Sequence, residues 1–328
     1  MNISCMYDDT SSIMLISAQS VSPLINEVSS RGSAAEVRLA GTDKFYTIPV
    51  VVDACIASLT KLYDWEEWEL VVEPSAGSGN FLSRIPTSRK IGMDIFPEGP
   101  DIIQQDFFEY SPPPPTYSTQ DRKIVVIGNP PFGKASSLAV KFFNHAACWA
   151  DTIAFVVPRT FRRASIQNRL NRAFTLQSDE DVPVIPCSFV PKMGVKCCFQ
   201  IWTRSSNERS RIEGAKSHAD WTFLPFGPLD AGGQPTPPEG ADFALRAYGG
   251  KCGEIRDSGL SELRPKSWHW IKCASEVSIE TLVRRFGELD YAESRDTARQ
   301  NSLGRGVLVG LYAKSFTVSY TPPRASAE

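Results

Sequence analysis

The chain carries almost no net charge: 35 Lys and Arg against 37 Asp and Glu leave a formal −2. A globally basic surface is therefore excluded, and any contact with a polyanion must be built from a local patch. Histidine is scarce, with three residues in 328 (His145, His218, His269). Eight cysteines (5, 55, 148, 187, 197, 198, 252, 273) form no C-x-x-C pair. This pattern excludes the usual zinc frameworks, so no metal is expected. The cysteines read as reduced, mostly buried thiols of an intracellular protein. No apolar run reaches the ~20 residues of a membrane span, so no membrane partner is expected. The Ser-rich first forty residues lack a clean apolar segment, and 1–41 is expected to be a disordered tail rather than a signal peptide. No internal repeat is present.

What is present is an alternation of apolar runs and helical periods. Val50 to Tyr63 has apolar residues at helical spacing. Buried strands are expected at Glu69–Glu73, Arg89–Ile95, Asp101–Ile103, Ile124–Ile127 and Thr152–Val157. Helices are expected over Ser136–Ala150 and about Ser165–Arg172, and 112–115 is a Pro-rich loop. Val184–Val190 and Val195–Trp202 read as a hairpin turning at Pro191-Lys192-Met193-Gly194. Such alternation predicts an α/β fold, a Rossmann-like parallel sheet with helices on both faces and an antiparallel edge hairpin. This domain spans 42–204. A polar Gly- and Pro-rich stretch, 205–240, reads as a linker or insertion. A smaller C-terminal α+β region follows over 241–318, then a tail, 319–328.

The first strand runs into Glu73-Pro74-Ser75-Ala76-Gly77-Ser78-Gly79-Asn80-Phe81, expected to open a helix. Glycines here let the backbone approach a ligand closely. The third glycine of the dinucleotide fingerprint is missing, because Leu82 stands in its place, and there is no Walker lysine. Instead an acid opens the turn. A carboxylate repels a pyrophosphate but pairs with a charged amine. The ligand is therefore expected to be cationic and phosphate-free, and S-adenosylmethionine (SAM) carries both an ammonium and a sulfonium. Asp94, with Ile95 after it, ends the second strand where an acid meets ribose hydroxyls in nucleoside-binding folds. Asp106 is placed to accept from an adenine amine and Phe107 to pack on its ring, with Phe108 the better candidate for core.

The fourth strand ends in Asn129-Pro130-Pro131-Phe132. An Asn oxygen and a prolyl carbonyl can both accept from a planar –NH₂. Two prolines stiffen the backbone carrying them, and the Phe132 ring offers a face for a flipped base.

Taken in order, these features resemble the amino-group DNA methyltransferases, in particular the N6-adenine enzymes. Asp43-Lys44-Phe45-Tyr46-Thr47-Ile48-Pro49 is similar to their leading motif, although Ile48 intervenes before the proline. Glu73 to Gly79 resembles motif I, Asp94 motif II, Asp106-Phe107 motif III and Asn129 to Phe132 motif IV. Looser likeness continues through Phe155–Phe161 and Phe199–Trp202. The resemblance implies a class I methyltransferase sheet, SAM as cofactor and N6 of adenine in DNA as substrate. It implies cofactor contacts at Tyr46, Thr47, Glu73, Ser75, Ala76, Gly77, Gly79, Asn80, Asp94, Ile95, Asp106, Phe107 and Asn129. It places catalysis at Asn129, Pro130, Pro131 and Phe132, and target recognition in the C-terminal region.

Arg159, Arg162, Arg163, Arg169 and Arg172 fall within fourteen residues that contain no acid. Beginning just after the fifth strand, they are expected to contact phosphates beside the catalytic turn. Asp179-Glu180-Asp181 reads as a solvated acidic loop. Arg246, Lys251 and the run Lys266 to Lys272 interleave cations with aromatics, as surfaces that grip nucleic acid do. Trp268 and Trp270 alternate in a strand, at least one of them as core, and His269 reads as structural. RNA adenine, cytosine N4 and protein glutamine stay open as acceptors. So does a SAM-binding nucleic-acid module without activity. A nicotinamide enzyme is disfavoured by Glu73 and the missing glycine.

Overall fold

Five consecutive residues without a charge, Ile124-Val125-Val126-Ile127-Gly128, are all buried and form the strand at the centre of the molecule. The structure, a computed structural model, describes residues 44–113, 123–214 and 216–316. The expected tails 1–41 and 319–328, Asp43 of the leading motif and part of the Pro-rich loop lie outside the described residues.

In chain order the first elements are β1 (Tyr46–Thr47), α1 (Pro49–Thr60), β2 (Leu70–Glu73), β3 (Lys90–Asp94), β4 (Ile102–Gln104), β5 (Ile124–Gly128), α2 (Ser137–Ala146) and β6 (Thr152–Pro158). They are followed by α3 (Ala164–Gln167), β7 (Phe174–Asp181), β8 (Phe189–Val190) and β9 (Cys197–Arg204). Seven of these strands form one sheet in the order β4-β3-β2-β5-β6-β9-β7. The first five are parallel, while β9 runs antiparallel between β6 and β7. This is the expected Rossmann-like parallel sheet, with an antiparallel edge.

Strand periodicity explains both layers. Ile124 and Val126 of β5, with Ile153, Phe155 and Val157 of β6, face the cluster that includes Phe142 and Phe143 of α2. Val125, Ile127, Ala154 and Val156 face the other side, where Val52, Cys55 and Leu59 of α1 pack. Pro49 starts α1 at a position whose N–H needs no helical partner. The buried positions of α2 recur at helical spacing, Ala139, Val140, Phe142, Phe143 and Ala146. Each large apolar side chain so buried contributes roughly 1.5–3 kcal/mol.

Two expectations at the edge need correction. The strand partner of β9 is β7, not Val184–Val190, and the acidic stretch 179–181 is the end of that strand. Only Phe189–Val190 of the expected strand is extended in a ladder, and it pairs with β1 (Tyr46↔Val190, Thr47↔Phe189). The expected helix after Ser165 is a single turn, α3.

The C-terminal elements are β10 (Trp221–Phe223), β11 (Phe243–Arg246), β12 (Ile255–Arg256), β13 (Trp268–Cys273), α4 (Ile279–Gly287) and α5 (Arg305–Phe316). Their sheet has the order β10-β13-β11-β12 and is antiparallel throughout. The stretch 205–240 is thus not all linker, since it supplies the edge strand β10 with its buried Trp221. Phe243, Leu245 and Ile271 pack against Leu282 and Phe286 of α4 and Leu308 and Tyr312 of α5. Trp268 and Trp270 are both core on the opposite face, with Ala244. His269 points the other way and its Nε2 lies 2.7 Å from the Leu303 carbonyl, a structural role.

Candidate active site

The carboxyl ends of β2, β3 and β5 converge on one cleft. At the end of β2, Glu73 is only 2% exposed. Gly77 and Gly79 follow with φ of +51° and +82°, the left-handed region that a Cβ disfavours. The expected helix after this turn is absent: residues 77–84 form successive turns. Leu82, standing where a third glycine would be, is buried and donates its N–H to Glu73 Oε2 at 2.7 Å. That bond ties the turn to the acid, so no helix N-terminus faces the cleft. Burial pushes the Glu73 carboxyl up to about 8, against the pull of the Leu82 N–H.

Asp94 braces the two neighbouring loops. Its Oδ2 accepts from Gly77 N at 2.9 Å and its Oδ1 from Phe96 N at 2.8 Å. Each carboxylate oxygen keeps further acceptor capacity. Ile95 beside it is 54% exposed. Asp106 accepts from Phe108 N at 2.9 Å, capping the short turn Phe107–Glu109. This turn inverts the expected roles of the two phenylalanines. Phe107 is 1% exposed, its ring 5.2 Å from Phe142 and 4.8 Å from His145, so it is core and not a cofactor contact. Phe108 is the exposed one, at 39%.

Asn129 follows β5, and its amide has two unlike ends. Nδ2 donates to the Phe45 carbonyl at 2.9 Å. Oδ1 is buried and has no hydrogen-bond partner among the described residues. Its backbone carbonyl accepts from Ser75 Oγ at 3.1 Å, joining the motif to the glycine turn. Pro130 is buried, Pro131 half-buried, and Phe132 half-buried against the α1-side core. The Phe132 carbonyl accepts from Leu138 N and Ala139 N, which fixes the ring's backbone to the start of α2.

Residues 44–47 cross over the glycine turn as a strap. The Thr47 carbonyl accepts from Asn80 Nδ2 at 2.9 Å, while Thr47 Oγ1 is buried without a partner. The Tyr46 ring lies on Gly77: a Cβ there would be 2.5 Å from Tyr46 Cε1. The Tyr46 hydroxyl lies beside the Glu98 carboxylate, and burial first, with that carboxylate second, pushes the phenol well above its ordinary value. Lys44 Nζ pairs with Glu98 Oε1 at 2.7 Å. Beneath the strap is a cavity of about 30 Å³ lined by Thr47, Glu73, Ser75, Ala76, Asn80 and Asn129, among others. It has room for about one water. Its lining is rich in acceptors: the Glu73 carboxyl and the two orphan oxygens of Thr47 and Asn129. Free acceptors of this kind suit groups that bring N–H, as the ammonium of SAM and an adenine amine do. Phe45 and Glu98 lacked any role in the sequence reading, because their partners lie 84 and 54 residues away.

The arginine run is not the phosphate surface expected of it. Arg159 pairs with Asp181 at 2.8 Å. Arg162 grips Asp179 with Nε and Nη2, and also reaches Asp181 and Asp296. Arg163 donates to the carbonyls of Asp296 and Ser302 at 2.6 and 2.7 Å. These three are consumed in clamping β7 and the C-terminal region onto the sheet. Arg169 sits by the last turn of α2, where its carbonyl accepts from Asn144 Nδ2. Arg172 pairs with Glu208 just before β7, whose first residue is opposite Arg204, at the amino ends of the parallel strands and away from Asn129. Arg246 is held by Glu254, the Tyr248 carbonyl and the Trp268 ring. Of the expected substrate cations, Arg169 and Lys251 are exposed and form no ion pair among the described residues.

Among the described residues no group of three or more His, Cys, Asp or Glu is placed to hold a metal, and the cysteines are free thiols. No described helix is long and apolar enough to cross a membrane.

The sequence matches no protein-family model and no curated protein. Solved structures similar to it include a 23S rRNA methyltransferase, at 19% identity over 52% of this chain and 72% of that one, TM-score 0.34. A dimethyladenosine transferase from Plasmodium falciparum is 15% identical over 49% and 63% of the two chains, TM-score 0.33. Magnesium protoporphyrin IX methyltransferase from Synechocystis PCC 6803, with bound SAM, is 10% identical over 48% and 79%, TM-score 0.33. Likeness of this order carries no argument about the reaction.

Proposed function

We propose that the protein is a SAM-dependent methyltransferase acting on the N6 amino group of adenine in nucleic acid, with DNA as the first polymer to test. The observation that carries this reading is the orphan acceptor of Asn129. A buried carbonyl oxygen without a partner costs about 1–3 kcal/mol, and a site retains such a group where a ligand completes it. Here the oxygen belongs to the residue that follows β5, that is joined to the glycine turn through Ser75 and that helps line the cavity.

In this reading Glu73, Asp94 and the Gly77–Gly79 turn hold the cofactor, which when bound supplies an electrophilic methyl group. Asn129 Oδ1 accepts one N–H of the amine and so favours a pyramidal nitrogen with an available lone pair. Nδ2, already committed to Phe45, keeps that oxygen turned to the site. Phe132, fixed at its carbonyl, presents the exposed part of its ring to the base. The cofactor would supply the methyl group to the amine nitrogen that Asn129 holds, and the amine proton would leave to solvent. No general base is required of the protein. Alignment of two reactants supplies about 7–11 kcal/mol in favourable cases.

Incubation with methyl-labelled SAM and either adenine-unmethylated DNA or total RNA, followed by nucleoside analysis, tests this. Label in N6-methyladenine is the expected result, and the polymer carrying it identifies the substrate, since both present the same amine. SAM binding without label in either would replace the enzyme by a recognition module.

A further inference from the structure

We propose that Glu98, which touches neither of the proposed reactants, is a positioning residue that sets the working orientation of Asn129 through the strap 44–47. The proposal rests on the methyltransferase reading for its effect on turnover, and on the geometry alone for the latch itself.

The connection is traceable bond by bond. Glu98 is anchored to the glycine turn by its own N–H, which donates to the Gly77 carbonyl at 2.9 Å. Its carboxylate meets the strap on both sides of Phe45: it pairs with Lys44 Nζ at 2.7 Å and lies beside the Tyr46 hydroxyl. Between those two side chains, the Phe45 carbonyl faces the other way and receives Asn129 Nδ2. The strap's far end is held by Asn80 on the Thr47 carbonyl and by the β1–β8 ladder. Side-chain bonds thus hold the near end, and Phe45 lies in the near half.

What this achieves is a choice between the two ends of one amide. The terminal torsion of asparagine is broad and nearly two-fold. The side-chain amide's one hydrogen bond among the described residues is Nδ2 to the Phe45 carbonyl, and that bond distinguishes Nδ2 from Oδ1. An amide turned over would present an N–H to an incoming amine, donor against donor. With the carbonyl in place, Oδ1 faces the cavity. The same strap lies on Gly77 and lines the cavity through Phe45, Tyr46 and Thr47, so the residues that set the amide also border the cleft a cofactor would enter. A strap loosened at Lys44 would therefore disturb the set of the Asn129 amide and the border of the cofactor cleft together, and Glu98 joins the two.

Two measurements on the full chain test this. The first is hydrogen exchange by mass spectrometry of peptides covering 44–48, which include the Ile48 N–H bonded to the Ser188 carbonyl. Glu98→Ala and Lys44→Met are expected to accelerate exchange there and leave the peptides of β5 and β6 unchanged. Glu98→Gln, which keeps an acceptor for Tyr46, is expected to restore most of the protection. The second is the kinetics. Glu98→Ala is expected to speed both association and dissociation of S-adenosylhomocysteine in stopped flow. It should also lower kcat on the order of 10-fold with little change in KM for the nucleic acid, and Glu98→Gln should recover it. Unchanged exchange in Glu98→Ala overturns the latch. Accelerated exchange with wild-type kcat and cofactor rates overturns the coupling. A wild-type protein that neither binds SAM nor transfers methyl defeats the methyltransferase reading instead, and the exchange experiment still decides the latch.

Discussion

Arg162 closes on Asp179 with two parallel bonds, Nε to Oδ2 at 2.9 Å and Nη2 to Oδ1 at 2.6 Å. The pair joins the segment after β6 to the edge strand β7, and Gln200 Nε2 adds a third donor to the same carboxylate at 2.9 Å. Both side chains are less than a quarter exposed. Removing the cation strands an acid whose remaining donors cannot neutralise it. Arg162→Ala is therefore expected to cost about 3 kcal/mol of unfolding free energy, read from urea denaturation. Arg162→Lys should restore only part of it, because an ammonium cannot make the bidentate fork.

That pair also explains where the sequence misleads. The five arginines lie in a stretch free of acids, so they read as unneutralised. Two of them, Arg159 and Arg162, find their partners Asp179 and Asp181 on a strand disguised by its own acids, Phe174-Thr175-Leu176-Gln177-Ser178-Asp179-Glu180-Asp181. A strand with acids at its end looks like a loop until the arginines that satisfy it are placed opposite. The parallel strands were legible because their burial is encoded in short uninterrupted apolar runs such as Ile124–Ile127. The Glu73 turn and Asn129–Phe132 stood out because each is a short contiguous run, and the structure brings the two together at one cavity. Phe107 and Phe108 were not, because a turn of three residues decides which ring goes inward. Nor was Glu98, whose only signal is contact with Lys44 and Tyr46.

Asn129→Ala offers a test that separates function from stability. The substitution removes an acceptor that has no partner and a donor that has one, so the two effects on folding oppose each other and the net change is expected to stay within about 1 kcal/mol. Turnover should fall on the order of 10²–10³-fold, as when a preorganised transition-state hydrogen bond is deleted. Calorimetry should still detect cofactor binding. A variant that loses stability in step with activity would assign Asn129 to the scaffold.

Glu73 makes both stability and cofactor affinity depend on pH. Its folded value of about 8 lies above its ordinary 4.5. Between those values the folded chain holds a proton that the unfolded chain has lost. Stability from this group therefore falls as pH rises through the window, by up to about 1.4 kcal/mol per pH unit. A bound ammonium reverses the preference and draws the proton off. Affinity for S-adenosylhomocysteine, which carries that ammonium, should rise from pH 6.5 towards pH 8.5. Calorimetry in buffers of different ionisation enthalpy should register proton release. Glu73→Gln should flatten both profiles.

Gly77→Ala tests how the strap is seated. Alanine at φ +51° costs about 1 kcal/mol or somewhat more on backbone grounds alone. A second cost is added because the new Cβ would sit 2.5 Å from Tyr46 Cε1. These two contributions are separable, since only the second needs the ring. In a Tyr46→Ala background the steric share vanishes and the backbone share remains. Urea denaturation of the four species should therefore show Gly77→Ala costing more in the wild type than beside Tyr46→Ala. A coupling on the order of 1 kcal/mol is expected of residues in direct contact. Strict additivity would mean that Tyr46 does not rest on the glycine turn in solution, and that the strap lies open before any cofactor arrives.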